Sequence, residues 1–487
     1  MKANDDMFIL KHNHPVDFKQ QRKKRLQIDI SSHHFQAKIL SWPKNPKCNH
    51  HHRFNIAKLS SNSKLAKISS FVCFLLSISV CAFMAYNSIR DYLEFDVITQ
   101  IKVSEEMPTL FPTVTICNVN PFLSENASSL LKGIMNKKLG SNFNMGSADF
   151  IKEIEIANAI ALSEAFNPKY GDDRRKALGF DLKKSLFQCL YNKIECKAEL
   201  NFTWSYTFFY GNCYQFNSGF DSNKTGMNIK IATVPGENNG LFLTFFLANS
   251  TNRYSSSFND GLRVFIHNGS FPPSSSEGIN VKPGTLANIG VKRTLIDKKP
   301  YPFSECSDAL STQSEFYEYF SESNRSYHRE TCFDLCLQKM IVKKCHCYYL
   351  NYPKWYDVAP CLRPFQLVCA SEQYFKFIGS DIKNECSINC PSSCSSVLYD
   401  LSVSYSGFPT ESFYKLFRNV KEYTDGFFRN EKLSYDKLRQ RAVGLNIYYP
   451  DFKYTSIREL QKTTVVDLVS NIGGTFSLFL GKDFFLI

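Results

Sequence analysis

Apolar positions are spread unevenly along the chain, and one run stands apart from the rest. Between Lys67 and Arg90 lie 22 residues without a charge, from Ile68-Ser-Ser-Phe-Val-Cys-Phe-Leu-Leu to Ile89. At about 1.5 Å per residue a helix of that length crosses the roughly 30 Å hydrocarbon layer of a bilayer. Residues 68–89 are therefore predicted to be a transmembrane helix, with a buried core helix as the competing reading. The run starts too late for a secretory signal and lacks its small-residue exit. From 123 to 190 the pattern is helical, clearest in Ala148–Phe166, where Phe150, Ile154, Ala157, Ala161 and Ala165 share one face. From 201 to 305 it turns strand-like, with aromatic and β-branched runs such as Thr244-Phe-Phe-Leu-Ala and Leu262-Arg-Val-Phe-Ile-His. Alternating strand residues follow Leu398, then a charged helical stretch, then strand again over Ala442–Tyr454. A last apolar run, Leu468–Gly481, holds 14 uncharged residues, short of the roughly 20 that a spanning helix needs. Residues 468–487 are expected to begin a second membrane helix that is truncated.

Charge gives the first run a direction. Residues 1–67 carry 14 Lys/Arg against four Asp, a net charge of +10 out of +13 for the whole chain. A basic arm can bind nucleic acid, but one beside a membrane span is better read as lipid-facing and topological. By the positive-inside bias, residues 1–67 form a cytosolic arm and 90–467 an extracellular domain. The arm is also rich in His, with His50-His51-His52 near Cys48; a metal role there is the weaker reading. Six Asn-x-Ser/Thr sequons begin at Asn126, Asn201, Asn223, Asn249, Asn268 and Asn324. All fall on the side predicted to be outside, where they are candidate glycosylation sites.

Cysteine usage agrees with that side being oxidising. Of 17 cysteines, 14 follow the first apolar run, an even number as full pairing requires. Ten of them crowd between Cys306 and Cys394, marking 305–400 as a disulfide scaffold. Cys332 and Cys336 sit four apart on a segment that can be helical, so both sulfurs share one helix face. Cys386, Cys390 and Cys394 repeat the step. A ladder of Cys332–Cys390 and Cys336–Cys386, closed by Cys306–Cys394, is geometrically allowed. Cys345 and Cys347, two apart as on one face of a strand, could reach Cys369 and Cys361. Cys189–Cys196 would close a short loop and leave Cys117–Cys213. Spacing alone leaves the connectivity open, and the same pieces could ligate zinc, although the oxidising side favours disulfides. No P-loop, dinucleotide fingerprint, nucleophile elbow or His-Glu-x-x-His motif occurs. An enzyme is not expected, nor a cofactor.

Five motifs in order carry a resemblance. They are Phe111-Pro-Thr-Val-Thr-Ile-Cys-Asn-Val-Asn-Pro-Phe122, Gly211-Asn-Cys-Tyr-Gln-Phe-Asn-Ser-Gly219 and Lys282-Pro-Gly-Thr-Leu-Ala-Asn-Ile-Gly-Val-Lys-Arg-Thr294. Next come Cys332-x3-Cys336-x8-Cys345-His-Cys347 with the later cysteines, and finally Asp467-Leu-Val-Ser-Asn-Ile-Gly-Gly-Thr-Phe-Ser-Leu-Phe-Leu-Gly481. Over residues 55–481 the chain resembles the degenerin/epithelial sodium channel/acid-sensing ion channel family. The resemblance implies an α+β membrane protein: two membrane helices per subunit, and a hand-like ectodomain with a β-sheet palm, helical finger and disulfide-rich thumb. By position, 123–190 looks like the finger and 305–400 like the thumb. It implies the seven cysteine pairs that the spacing allows, and an aromatic wrist contact between Phe95 and Phe303. It also implies pore positions: Ser470, where bulk holds the pore open; Gly473 and Gly474, which allow close helix packing; and Gly481, first residue of a Gly-x-Ser filter.

The chain departs from the family pattern in two further places. Ser63-Lys64 stands where the family has a His-Gly pair, and the filter reads Gly481-Lys482-Asp483. A lysine ring at the narrowest point of a cation pore would repel sodium. The function expected is a subunit of a stimulus-gated, amiloride-sensitive sodium channel of the plasma membrane, a trimer with itself or with relatives, meeting sodium ions and membrane lipids but no nucleic acid. The alternatives are a truncated, non-conducting regulatory subunit, and a single-pass receptor or adhesion ectodomain.

Overall fold

The structure is a computed structural model that describes residues 64–139, 160–161, 163–165, 171–207, 209–220, 226, 228–248, 259–269, 278–322, 327–379, 382–428 and 433–480. Fifteen strands occur among them: β1 (Val97–Glu105), β2 (Thr109–Leu110), β3 (Thr113–Asn118), β4 (Leu186–Tyr191), β5 (Ile194–Glu195), β6 (Phe202–Thr207), β7 (Gly211–Phe216), β8 (Ile231–Ala232), β9 (Leu241–Phe246), β10 (Leu262–His267), β11 (Ile279–Val281), β12 (Thr285–Asp297), β13 (Ser395–Gly407), β14 (Ala442–Tyr448) and β15 (Lys453–Gln461). The longer helices are α1 (Lys64–Leu93), α2 (Glu125–Leu139), α3 (Arg329–Cys345), α4 (Pro364–Gly379), α5 (Ile382–Asn389) and α6 (Val465–Leu480).

Strand β12 is the spine of the larger sheet, whose order is β1-β15-β12-β14-β9-β4-β5 with β13 also on β12. Its thirteen residues pair antiparallel with all of β13. On its other edge the first half runs parallel to β14 and the second half parallel to β15. Where the partner changes, Pro450 of the β14–β15 connection crosses over Gly290; a Cβ there would stand 3.0 Å from Pro450 Cγ. A second sheet, β11-β10-β3-β7-β6, shares a core with the first. Val114, Ile116, Phe216, Leu262 and Val264 from one meet Leu243, Phe245, Ile289, Leu445 and Ile447 from the other, all buried. Alternation along the strands aims these side chains inward, and each large one contributes about 1.5–3 kcal/mol by leaving water.

The cysteine-rich segment has a core of its own. Leu335, Ile341, Leu367, Ala370 and Phe377 from α3 and α4 pack with Phe316, Phe320 and the disulfides. Seven disulfides form: Cys117–Cys213, Cys189–Cys196, Cys306–Cys394, Cys332–Cys390, Cys336–Cys386, Cys345–Cys369 and Cys347–Cys361. These are the pairs that the resemblance implies.

Several boundaries differ from the sequence reading. Helix α1 runs on past Ile89 to Leu93, where Glu94 N–H donates to Arg90 O (2.9 Å) and the two side chains form an exposed i,i+4 pair at 3.4 Å. The apolar span within it covers Phe71–Leu93, and among the described residues it is the one helix long and apolar enough to cross a membrane. The helical reading of 123–190 fails over its last residues: Leu186–Tyr191 is strand, paired with β9. Most of the Ala148–Phe166 helix lies outside the described residues; Ile160, Ala161 and Ala165 within it are buried. Likewise 395–400, read as the end of the cysteine-rich part, already belongs to β13. Cys345 and Cys347 do not share a strand face. Cys345 closes α3, and His346 turns the chain in the left-handed conformation (φ 53°) before Cys347. Helix α6 starts at Val465 rather than 468, because Thr464 and Asp467 cap it reciprocally: Asp467 N–H donates to Thr464 Oγ1 (3.1 Å) and Thr464 N–H to Asp467 Oδ2 (3.0 Å).

Candidate gating and pore region

Both candidate membrane helices enter one strand pair. β1 follows α1 after three residues, α6 follows β15 after three, and the two strands pair antiparallel from Val97↔Gln461 to Glu105↔Lys453. The junction is pinned at its membrane-proximal end. Lys462 N–H donates to Asp96 O (3.0 Å) and Lys462 Nζ to Asp96 Oδ2 (2.8 Å). That hydrogen bond holds the exposed Lys462 ammonium above the usual lysine range. Farther along, Ser77 Oγ of α1 donates to Phe479 O of α6 at 2.7 Å. A serine hydroxyl satisfied by a backbone carbonyl is a common way for apolar helices to hold one another.

The wrist residues meet. Phe95 takes the left-handed conformation (φ 52°), which turns the chain out of α1 and aims its ring at Phe303. The centroids lie 5.6 Å apart with the planes at 89°, an edge-to-face contact, and the Tyr92 ring stands 6.1 Å from that of Phe95. Phe303 is held by its loop: Lys299 N–H donates to Glu459 Oε2 of β15 (2.9 Å), and Ser304 Oγ to Lys299 O (2.6 Å). Just beyond, Cys306–Cys394 closes the base of the cysteine-rich segment. Asp308 Oδ1 accepts from the amides of Cys394 (2.8 Å) and Ser395 (3.0 Å) there.

Of the predicted pore positions, Ser470, Gly473 and Gly474 lie on α6 at i, i+3 and i+4 and so share one face. Ser470 and Gly474 are exposed, and open space surrounds the Gly474 Cα. Gly481, Lys482 and Asp483 lie outside the described residues. Of the sequons, Asn126 and Asn268 are exposed, and Asn201 is half-buried with its Oδ1 accepting from Lys197 N–H (2.8 Å). Asn223, Asn249 and Asn324 lie outside the described residues.

Two features escaped the sequence reading. Arg293 of β12 is buried, reaches across the Tyr454 ring of β15 (5.1 Å) and pairs with Glu106 at the end of β1. One side chain thus ties β12 to β15 and to the residue that follows β1; in the sequence Arg293, beside Lys292, looks like an ordinary solvent-facing charge. On α3, burial first and the neighbouring Glu330 second push the Asp334 carboxyl up to about 7.

The chain belongs to the amiloride-sensitive sodium channel family, whose profile matches residues 53–482. That family is one of ion channels rather than enzymes. The chain is similar to the epithelial sodium channel subunit beta of Neoceratodus forsteri, 28% identical over 306 residues, covering 62% of this chain and 45% of that protein. It is also similar to the FMRFamide-activated amiloride-sensitive sodium channel of Cornu aspersum, 24% identical over 471 residues, covering 81% of this chain and 73% of that one. The chain thus spans less than half the length of the epithelial subunit it matches. Among solved structures, a proton-activated chloride channel aligns over 85% of this chain and 93% of its own, at 9% identity and a TM-score of 0.30, too low to bear on this protein.

Proposed function

We propose that the chain is a subunit of a stimulus-gated, amiloride-sensitive sodium channel in the plasma membrane, with α1 and α6 in the bilayer and residues 94–464 between them outside the cell. The observation that carries this reading is the continuity of both helices with the β1–β15 pair, clasped by Phe95 and Phe303. A stimulus that shifts the stiff cysteine-rich segment moves Phe303, and through Phe95 and the strand pair it turns both helices together. Ser470, Gly473 and Gly474 then face the axis of a trimer, where small residues leave room for a pore. The residues Lys482 and Asp483 favour a second reading, a regulatory subunit that assembles with conducting relatives without passing current itself.

Voltage clamp of oocytes expressing the chain, alone and together with conducting relatives, separates these readings. An amiloride-blockable sodium current from the chain alone, altered by Phe303→Ala, supports the first. Silence alone but a changed current on co-expression supports the second. A surface-expressed chain that leaves every current unchanged overturns both.

A further inference from the structure

The loop that carries Phe303 ends in a bare tip. Pro300, Tyr301 and Pro302 are all exposed, and Tyr301, at 86%, is the most exposed large hydrophobic residue among those described. The flanks of the tip are tied down: Lys298 N–H donates to Cys394 O (2.9 Å), Lys299 N–H to Glu459 Oε2 (2.9 Å) and Phe303 N–H to Pro300 O (3.1 Å). The fold therefore fixes an aromatic ring in the open. A lone exposed apolar side chain is unremarkable in itself; its position is what gives it meaning.

Phe303 touches Phe95, and Phe95 lies two residues beyond Leu93, the end of the apolar span of α1. Tyr301 is two residues from Phe303, a reach of at most about 7 Å. The headgroup zone outside the hydrocarbon layer is about 5–8 Å deep on each side. With α1 across a bilayer, Phe95 leaves it beside the headgroups, and Tyr301 lies two residues from the side chain that touches Phe95. Tyrosine favours that level because its ring is apolar and its hydroxyl wet. Lys298 and Lys299, half-buried, precede the tip directly in the chain, and long lysine side chains reach toward polar interfaces.

We propose that Pro300-Tyr301-Pro302 is a membrane-docking tip whose partner is the outer leaflet of the phospholipid bilayer, with the Tyr301 ring seated at the boundary between headgroups and acyl chains. The proposal rests on α1 being a membrane span. It makes the base of the cysteine-rich segment a lipid contact as well as a helix contact, so the bilayer itself bears on Phe303.

Full-length Tyr301→Trp protein in phospholipid nanodiscs tests it, with the wild type and its three native tryptophans as reference. Lipids brominated near the headgroup should quench the added emission about twofold or more, and aqueous iodide should leave most of it intact. Full quenching by iodide with no effect of the bromolipids overturns the docking tip. Phe83→Trp, on the exposed face midway along α1, separates the two levels of the argument: lipids brominated deep in the chain should quench it. If they do not, α1 is not a span and the tip falls with it; if they do and Tyr301→Trp is untouched, the tip alone is wrong.

Discussion

At the residue scale, Asp334 is the clearest case of a group whose energetics depend on its surroundings. Folding raises its pKa from about 4, the ordinary carboxylate value, to about 7. The folded chain therefore holds this proton more tightly than the unfolded chain, and stability falls as pH rises between those values. The cause is desolvation on α3, reinforced by Glu330 one turn away. Tyr352 is the other titratable group that feels it; burial first, then the Asp334 charge, push its hydroxyl up. Asp334→Asn keeps the shape and removes the charge. It should stabilise the protein by about 1–3 kcal/mol at pH 8, where the wild-type carboxylate is charged, a solvent-discounted share of about 1.4 kcal/mol per unit of raised pKa, and change little at pH 4. Thermal unfolding in detergent across that range reads the difference. Mutant and wild-type curves that stay parallel from pH 4 to 8 would show that Asp334 titrates as an ordinary surface carboxylate.

At the scale of elements, the α3–α4–α5 unit is stapled rather than merely packed. Cys332–Cys390 and Cys336–Cys386 join α3 to the α5 end, and Cys345–Cys369 joins α3 to α4. Replacing Cys336 and Cys386 together by serine should cost about 2–5 kcal/mol, the range for a native disulfide. Hydrogen exchange should rise in α3 and α5 while β12 and β14 stay protected, because their core is separate. Exchange that rises evenly through the sheets would mean that the two cores fold as one. Much of this unit was legible beforehand: the four-residue cysteine step is a helix-face signal, and α3 carries it. The Cys345/Cys347 pair was misread because a two-residue step fits a strand as well as a helix end, and only the left-handed His346 decides between them. Leu186–Tyr191 was misread because it follows helical pattern directly, and its strand character comes from pairing with β9, some 50 residues on. The switch of β12 from β14 to β15 and the Arg293–Glu106 tie are long-range in the same sense, and no local periodicity reports them.

At the scale of the whole molecule, the central fact is that two helices far apart in sequence continue into one strand pair. β1 and β15 pair over nine residues, closed by Asp96–Lys462 at one end and tied to β12 by Glu106–Arg293 at the other. A twist of that ribbon cannot move α1 without moving α6. If α6 lines a pore, its inward face holds the small residues Ser470, Gly473 and Gly474, and the closed state depends on neighbouring copies of α6 approaching there. A bulky side chain at Ser470 prevents that approach while leaving the ribbon and the wrist intact. Ser470→Phe should therefore raise the open fraction several-fold, the scale of a shift worth about 1–2 kcal/mol, in a channel that contains this chain, alone or beside conducting relatives. The current should persist without stimulus and remain blockable by amiloride. Phe95→Ala in the same background should leave that open state in place, since the block to closure lies downstream of the wrist. Single-channel recording measures both. An unchanged open fraction in Ser470→Phe, with normal surface expression, would place Ser470 off the axis and take the pore assignment of α6 with it.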